Sequence, residues 1–149
     1  MKRQRYNLTA KWTVDAPIDL TWNALIDPHL WPFWWPDIKQ VKQLESPQLV
    51  AVRWRGLAGY ALHVVVDTED FKEQEFMRLK FSGDISGHGE VRLKAKNKQT
   101  TIVSFEWEVK TVPAWMNYLA KWLRKSFVYT FENGMKRAQK GINKYLAEQ

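Results

Sequence analysis

The chain has 149 residues, which is the length of one domain, so we predict a single domain over residues 1–149. It contains no Cys, which excludes a disulfide framework and thiol chemistry, and it has no apolar run of about eighteen residues that would span a membrane. The basic start is not followed by the apolar run of a signal peptide. Together these features favour a cytoplasmic protein, and the chain carries a formal net charge of +7.

The N-terminal part of the sequence predicts one strand and then two short helices. Residues 6–14 alternate in polarity, which is typical of a half-buried strand, and the apolar face carries Tyr6, Leu8, Ala10, Trp12 and Val14. Pro17 suits the first turn of a helix, because its missing N–H would have no partner there. The apolar spacing then predicts one helix over residues 18–26 and a second over residues 28–34.

From residue 38 to residue 110 the apolar side chains recur at every second position, with turn residues between the runs. The predicted strands cover residues 38–44, 50–55, 60–66, 75–81, 90–95 and 101–110. Segment 83–89 contains three glycines and is predicted to be a turn or a bulge, and residues 97–99 are predicted to be a hairpin turn. Strands joined by such short connections favour an antiparallel meander.

The last long segment, residues 113–146, predicts an amphipathic helix of roughly 50 Å. Its apolar stripe consists of Leu119, Leu123, Phe127, Phe131, Met135, Ala138, Ile142 and Leu146. Its basic face carries Lys121, Arg124, Lys125, Lys136, Arg137, Lys140 and Lys144. A one-sided sheet and a one-sided helix can bury their apolar faces against each other. We therefore predict an α+β fold, a curved seven-stranded antiparallel sheet wrapped round the long C-terminal helix.

Four segments, taken in this order, resemble a known superfamily. They are the strand, Ala-Pro and first helix of residues 12–28, the Trp-rich helix of residues 30–38, the Gly-Asp-hydrophobic-x-Gly pattern in residues 83–89, and residues 105–109 leading into the helix at Pro113. The chain is similar to the START-like superfamily, also called SRPBCC or helix-grip. This superfamily includes the birch-pollen-allergen fold and the polyketide cyclase/dehydrase and lipid transport family.

The resemblance implies an apolar cavity between the curved sheet and the long helix. Members bind lipids, steroids, polyketides or other hydrophobic small molecules there, and some catalyse cyclisation or dehydration. Members of the cyclase-like subfamily often carry a His within the last helix. The corresponding segment here, residues 128–135, has none, which argues against carrying over an acid or base role from the family.

Side chains expected to border the cavity, most of them aromatic, are the candidate ligand contacts. The candidates are Trp12, Trp34, Trp35, Trp54, Glu75, Met77, Phe81, Trp107, Phe127, Phe131 and Met135. The indoles on the strands either line a cavity or fill the core, because both arrangements give the same pattern. Trp34 and Trp35 either gate the cavity mouth or seal the open end of the sheet.

Acid–base chemistry would need an ionisable group inside the cavity. Glu75 has the same strand parity as Met77, so we predict that it faces inward, with Tyr129 as a second weak candidate for proton transfer. The alternative for Glu75 is a solvated position at the rim beside Lys72. Asp84 is predicted to bind backbone N–H groups at its turn.

Metal and cofactor sites have no support in the sequence. His29, His63 and His88 are not at metal-ligand spacing, and no glycine-rich loop opens a helix to hold a phosphate. We therefore predict no metal and no cofactor.

The start of the long helix is the candidate partner surface. Trp115 and Trp122, with Arg124 and Lys125, combine aromatic and basic side chains in a way that suits an anionic membrane surface or a protein partner better than nucleic acid. Packing of the same residues within the fold is the alternative. Three functions thus stay open: a carrier of a hydrophobic small molecule, a cyclase/dehydratase-type enzyme, and an interaction module with a filled core.

Overall fold

The computed structural model describes residues 5–55, 61–111 and 120–149. Within these ranges the chain forms seven strands and three helices. In chain order they are β1 (Arg5–Val14), α1 (Ile18–Ile26), a 3-10 turn (Pro28–Leu30), α2 (Trp31–Trp34), β2 (Ile38–Gln43), β3 (Leu49–Arg55), β4 (Ala61–Lys72), β5 (Phe76–Gly83), β6 (Ile85–Asn97), β7 (Thr100–Thr111) and α3 (Ala120–Ala147).

The strands form one curved antiparallel sheet in the order β1-β7-β6-β5-β4-β3-β2. Each strand from β3 to β7 pairs with the strand before it in sequence, as expected for hairpins, and β1 completes the sheet by pairing along its whole length with β7. The predicted α+β helix-grip architecture is confirmed.

Two strands, β4 and β6, are much longer than the sequence predicts. β4 continues to Lys72, because its last, polar residues still pair with β5. Apolar residues do not alternate over this part of the strand, so the sequence pattern does not predict it. β6 begins at Ile85, so most of segment 83–89 is strand rather than turn: Gly87 and Gly89 pair with β5 on one side and β7 on the other. Glycine lacks a side chain but pairs through its backbone, which a pattern of side chains does not reveal.

Alternate residues of the strands point into the space between the sheet and α3. On β1, Leu8 and Trp12 are buried while Lys11 is exposed, and on β7 Phe105 and Trp107 are buried. The predicted shared inner face of the strand indoles is therefore confirmed.

The predicted role of Asp84 is confirmed only in part, because its carboxylate binds a backbone N–H of another strand and not of its own turn. At the start of β6, its Oδ2 accepts a hydrogen bond from the backbone N–H of His63 on β4, at 2.8 Å.

Two glycines let α3 approach α2 and the start of β2. A Cβ at Gly141 would overlap the carbonyl oxygen of Trp34. A Cβ at Gly134, two helical turns earlier, would lie 2.5 Å from Oδ2 of Asp37. The C-terminal part of α3 thus lies in direct contact with the segment that follows α1, and the helix axis is fixed relative to the sheet.

Candidate ligand-binding site

A chamber lies between the inner face of the sheet and α3. Its volume, measured as the space that the centre of a water molecule can occupy, is about 50 Å³. This is room for a few waters or a small organic group. Its walls are formed by Leu8, Asp37, Trp54, Arg55, Leu62, Val64, Phe81, Ile85, Trp107, Val109, Phe127, Thr130, Phe131, Gly134 and Met135. Most of these side chains are aliphatic or aromatic, so the chamber suits apolar groups.

A second, smaller chamber of about 20 Å³, by the same measure, lies behind the first. Trp54, Phe81 and Trp107 line both and form the partition between them. Gly89 makes this partition possible, because a Cβ there would come within 2.9 Å of the rings of Phe81 and Trp107. The inner space is therefore divided by side chains rather than by backbone.

A cluster of indole rings seals the end of the sheet behind the smaller chamber. Trp34 and Trp35 are stacked with ring centroids 5.3 Å apart, and Trp12 meets them edge-on at 5.9 and 5.8 Å. The Trp34 indole N–H donates to the carbonyl oxygen of Ala24 at 3.1 Å. Trp34 and Trp35 are both almost fully buried, as expected if they seal this end, which was the alternative to a gate at the cavity mouth.

The cluster is held mainly by ring contacts. Trp35 meets Trp54 edge-on at 5.1 Å, and Trp54 meets Trp107 edge-on at 5.4 Å. The indole nitrogens of Trp12, Trp35 and Trp107 are buried, and none has a hydrogen-bond partner within the described parts of the chain. Each of these rings has an edge-to-face neighbour, an arrangement in which an N–H can point at a π face.

One ion pair lies at the edge of the main chamber. Asp37 is only 2% exposed, and its two carboxylate oxygens accept hydrogen bonds from Nε and Nη2 of Arg137 at 3.1 and 2.8 Å. These hydrogen bonds raise the pKa of Arg137 above its ordinary value, against the opposing effect of partial burial, so the guanidinium stays charged. A buried carboxylate is thereby neutralised at the chamber wall.

Six of the predicted ligand contacts line the main chamber. They are Trp54, Phe81, Trp107, Phe127, Phe131 and Met135. Trp35 and Met77 line the smaller chamber, while Trp12 and Trp34 are buried behind these walls and line neither. The structure therefore brings most of the aromatic candidates together, and ligand contact through them stays a prediction.

The inward prediction for Glu75 is wrong. β5 begins at Phe76, so Glu75 belongs to the turn before it, where parity has no meaning. Its side chain is 55% exposed, and its Oε2 lies 2.8 Å from Nζ of Lys72. The hydrogen bond to Glu75 raises the pKa of Lys72. Both side chains are exposed, so the pair is a solvated contact at the hairpin turn, as in the alternative that placed Glu75 at the rim beside Lys72.

Tyr129 also lies outside the chamber. Its side chain is 68% exposed, because it is two residues from Phe127 and Phe131 and so points to the other side of the helix. Neither candidate for proton transfer is placed at the ligand site.

The sequence did not single out Asp37 or Thr130 as polar residues of the chamber, and the alternation of β3 assigns Arg55 to the outer face, opposite Trp54. Asp37, Arg55 and Thr130 line the chamber, and Arg137 holds Asp37, although the sequence placed Arg137 on the exposed basic face. Gly134 was the available signal, because a glycine in the middle of a helix marks a close approach.

The predicted partner surface lies outside the described residues. Trp115 is not described, and for Trp122, Arg124 and Lys125 only the helical backbone is. In the described parts of the chain, no helix combines the length and apolar character needed to cross a membrane. Across these same ranges, no three His, Asp or Glu side chains come together as metal ligands would.

Comparisons with solved structures agree with this geometry. An aromatase/cyclase, Zhui, from Streptomyces sp. R1128 shares 15% identity with a TM-score of 0.73 over 95% of this chain and 93% of its own. A START superfamily protein from Mycobacterium smegmatis shares 14% identity with a TM-score of 0.73 over 94% and 98%. A norcoclaurine synthase variant from Thalictrum shares 12% identity with a TM-score of 0.65 over 99% and 98%.

At these identities the similarity shows the fold. Among proteins with curated functions, none matches the sequence significantly. The family model described as "Polyketide cyclase / dehydrase and lipid transport" matches residues 5–146. The match spans almost the entire sequence, and the chain therefore belongs to the polyketide cyclase/dehydrase and lipid transport family.

Proposed function

We propose that this protein binds and carries a small, mainly apolar molecule in the chamber between the sheet and α3. The observation that carries the proposal is the wall itself. Five aromatic rings, those of Trp54, Phe81, Trp107, Phe127 and Phe131, surround a space to which the described residues contribute few polar groups. Sites for small ligands have this composition, with a mostly apolar lining and a small number of polar groups that set orientation.

The energetics favour a ligand of modest size. A molecule that buries ~200 Å² of apolar surface gains about 5 kcal/mol, before the cost of ordering the ligand is subtracted. The chamber as it stands accepts a ring or a short alkyl chain, and a longer body needs Phe127 or Phe131 to move. These two residues lie on α3 and contact the sheet through ring contacts, with Tyr6 at 4.3 Å and with Trp107 at 5.3 Å.

Carriage is favoured over acid–base catalysis by the placement of Glu75 and Tyr129. Both lie outside the chamber, and the buried carboxylate at its wall, Asp37, is held by Arg137. The aromatase/cyclase and the START protein named above share the fold, which supports an aromatic or lipid-like ligand.

Binding of a neutral probe tests the proposal. Titration of the purified chain with 1-decanol should change tryptophan emission, because Trp54 and Trp107 form the chamber wall. Calorimetry then compares two matched variants. Ile85→Trp places an indole in the chamber wall and should weaken binding about tenfold or more, since it fills the space that the probe needs.

Ile102→Trp is the control. Ile102 has the same partly exposed character but lies on the outer face of β7, so its affinity for 1-decanol should stay within about twofold of the parent chain. Equal weakening by both substitutions, or none by Ile85→Trp, would show that the probe binds elsewhere.

A further inference from the structure

The polar groups of the chamber are gathered at one end. Thr130 lies one helical turn before Gly134 on α3, and Gly134 lies against the carboxylate of Asp37. On the other side of Asp37, its backbone carbonyl accepts a hydrogen bond from the backbone N–H of Arg55 at 2.7 Å. Thr130, Asp37 and Arg55 therefore share one end of the chamber wall, and the other side chains that the described residues contribute to the wall are apolar.

The charges at this polar end do not cancel. Both oxygens of Asp37 are bound by Arg137, so the negative charge is already matched. Arg55 forms no ion pair or side-chain hydrogen bond with any described residue, and the hydroxyl of Thr130 has no hydrogen-bond partner among them. Arg55 is exposed at the last residue of β3, so the free groups at this end are a cation at the solvent-facing rim of the chamber and a hydroxyl.

We propose that the ligand is an anionic amphiphile, whose apolar body lies against Phe127 and Phe131 and whose carboxylate or phosphate is bound by Arg55 and Thr130. The proposal rests on the proposed function, because it names the class of ligand for the same chamber. A guanidinium matches the geometry of both anions and forms charge-assisted hydrogen bonds with them. The net charge of +7 also attracts an anion toward the protein.

A cationic ligand would meet the unmatched charge of Arg55 and be repelled. A neutral ligand would gain the apolar contacts but nothing from the guanidinium. Selectivity for the anion is therefore the measurable consequence, and it is separate from binding as such.

Three probes with the same alkyl chain test the inference: decanoate, decyl phosphate and 1-decanol, titrated calorimetrically into the full chain below their aggregation concentrations. At least one anion should bind about tenfold or more tightly than 1-decanol, as expected for a charge-assisted contact. The tighter of the two anions identifies the headgroup as carboxylate or phosphate. Raising the salt concentration should reduce the preference, because part of the attraction is screened.

Variants assign the preference to the polar end. Arg55→Ala should remove the preference for the anion, Arg55→Lys should restore part of it, and Thr130→Val should lower it by a smaller factor. Arg53→Ala is the matched control, because Arg53 is exposed on the same strand and does not line the chamber. It should keep the preference of the parent chain.

The outcomes separate the two proposals. If 1-decanol binds as tightly as both anions, or if Arg55→Ala and Arg53→Ala have the same effect, this inference is overturned and the proposed function stands. If none of the three probes binds, the proposed function fails and the inference fails with it.

Discussion

The two parts of α3 are attached to the rest of the protein in different ways. From residue 134 onward, the helix is fixed by close packing and by polar side chains. Gln139 accepts the backbone N–H of Thr13 at 2.8 Å, and Asn143 accepts the N–H of Asp15 at 2.7 Å while donating to the carbonyl of Thr13 at 3.1 Å. These side chains satisfy the exposed backbone groups at the end of edge strand β1.

Residues 126–133 lie over the chamber and are held differently. Phe127 and Phe131 contact the rings of Tyr6 and Trp107, and no side chain of this segment makes a hydrogen bond or ion pair to the described parts of the sheet. Ring contacts are less directional than hydrogen bonds, so this segment can shift while the C-terminal part stays in place. The comparison divides α3 into two parts: an anchor, residues 134–147, and a cover, residues 126–133.

The largest effect should come from disturbing the anchor. Gly141→Ala places a methyl group against the carbonyl oxygen of Trp34 and should lower the free energy of unfolding by about 2–3 kcal/mol, as overpacking does. Helix propensity alone predicts the opposite sign, a gain of about 1 kcal/mol. Urea denaturation decides between them, and Lys140→Ala, at an exposed neighbouring site, should change the stability by less than about 0.5 kcal/mol.

A smaller loss in the free energy of unfolding should follow removal of the Asp37–Arg137 ion pair, which lies at the first turn of the anchor. Arg137→Met keeps the aliphatic part of the side chain but leaves the buried carboxylate of Asp37 unpaired. We expect a loss of about 1–2 kcal/mol, less than for a fully buried pair, because the Arg137 side chain is 42% exposed. Adding Asp37→Asn should recover part of this loss in a double-mutant cycle, whereas additive losses would mean that the pair is not coupled.

The sequence was sufficient for the architecture because the fold is determined by periodic side chains. Residues 6–14 alternate between apolar and polar side chains, and apolar residues recur at every third or fourth position between residues 127 and 142. Each pattern identifies a buried face directly. The polar end of β4 has no such pattern, so its pairing could be found only from the backbone.

The site was less predictable, because it depends on contacts between distant segments. Asp37 and Arg137 are 100 residues apart, and neither belongs to a pattern that foretells the other. Glu75 was assigned inward because parity was extended one residue beyond the start of a strand, where the chain turns. Whether the indoles line or fill the space also depends on ring orientation, which the sequence does not encode locally.

Substitution in the cover should act locally, whereas substitution in the anchor should lower the stability of the whole fold. Phe131→Leu shortens a half-buried side chain at the chamber wall, so the free energy of unfolding should fall by about 1 kcal/mol or less. Hydrogen exchange should nevertheless become faster in residues 126–133 and stay unchanged in residues 134–147, because only the ring contacts of the cover are weakened. Met135→Leu, a swap of similar volume at a buried site, is the control and should leave both segments unchanged.

The Phe131→Leu variant also tests whether residues 126–133 open when a ligand binds. If residues 126–133 open to admit 1-decanol, the bound probe should slow hydrogen exchange in this segment of the parent chain, and Phe131→Leu should raise the dissociation rate more than it lowers the global stability. Equal acceleration of exchange in both parts of α3 would contradict the division, because it would mean that the helix opens as one unit. The small change in stability and the local change in exchange must therefore occur together, since either alone is also expected of an ordinary core substitution.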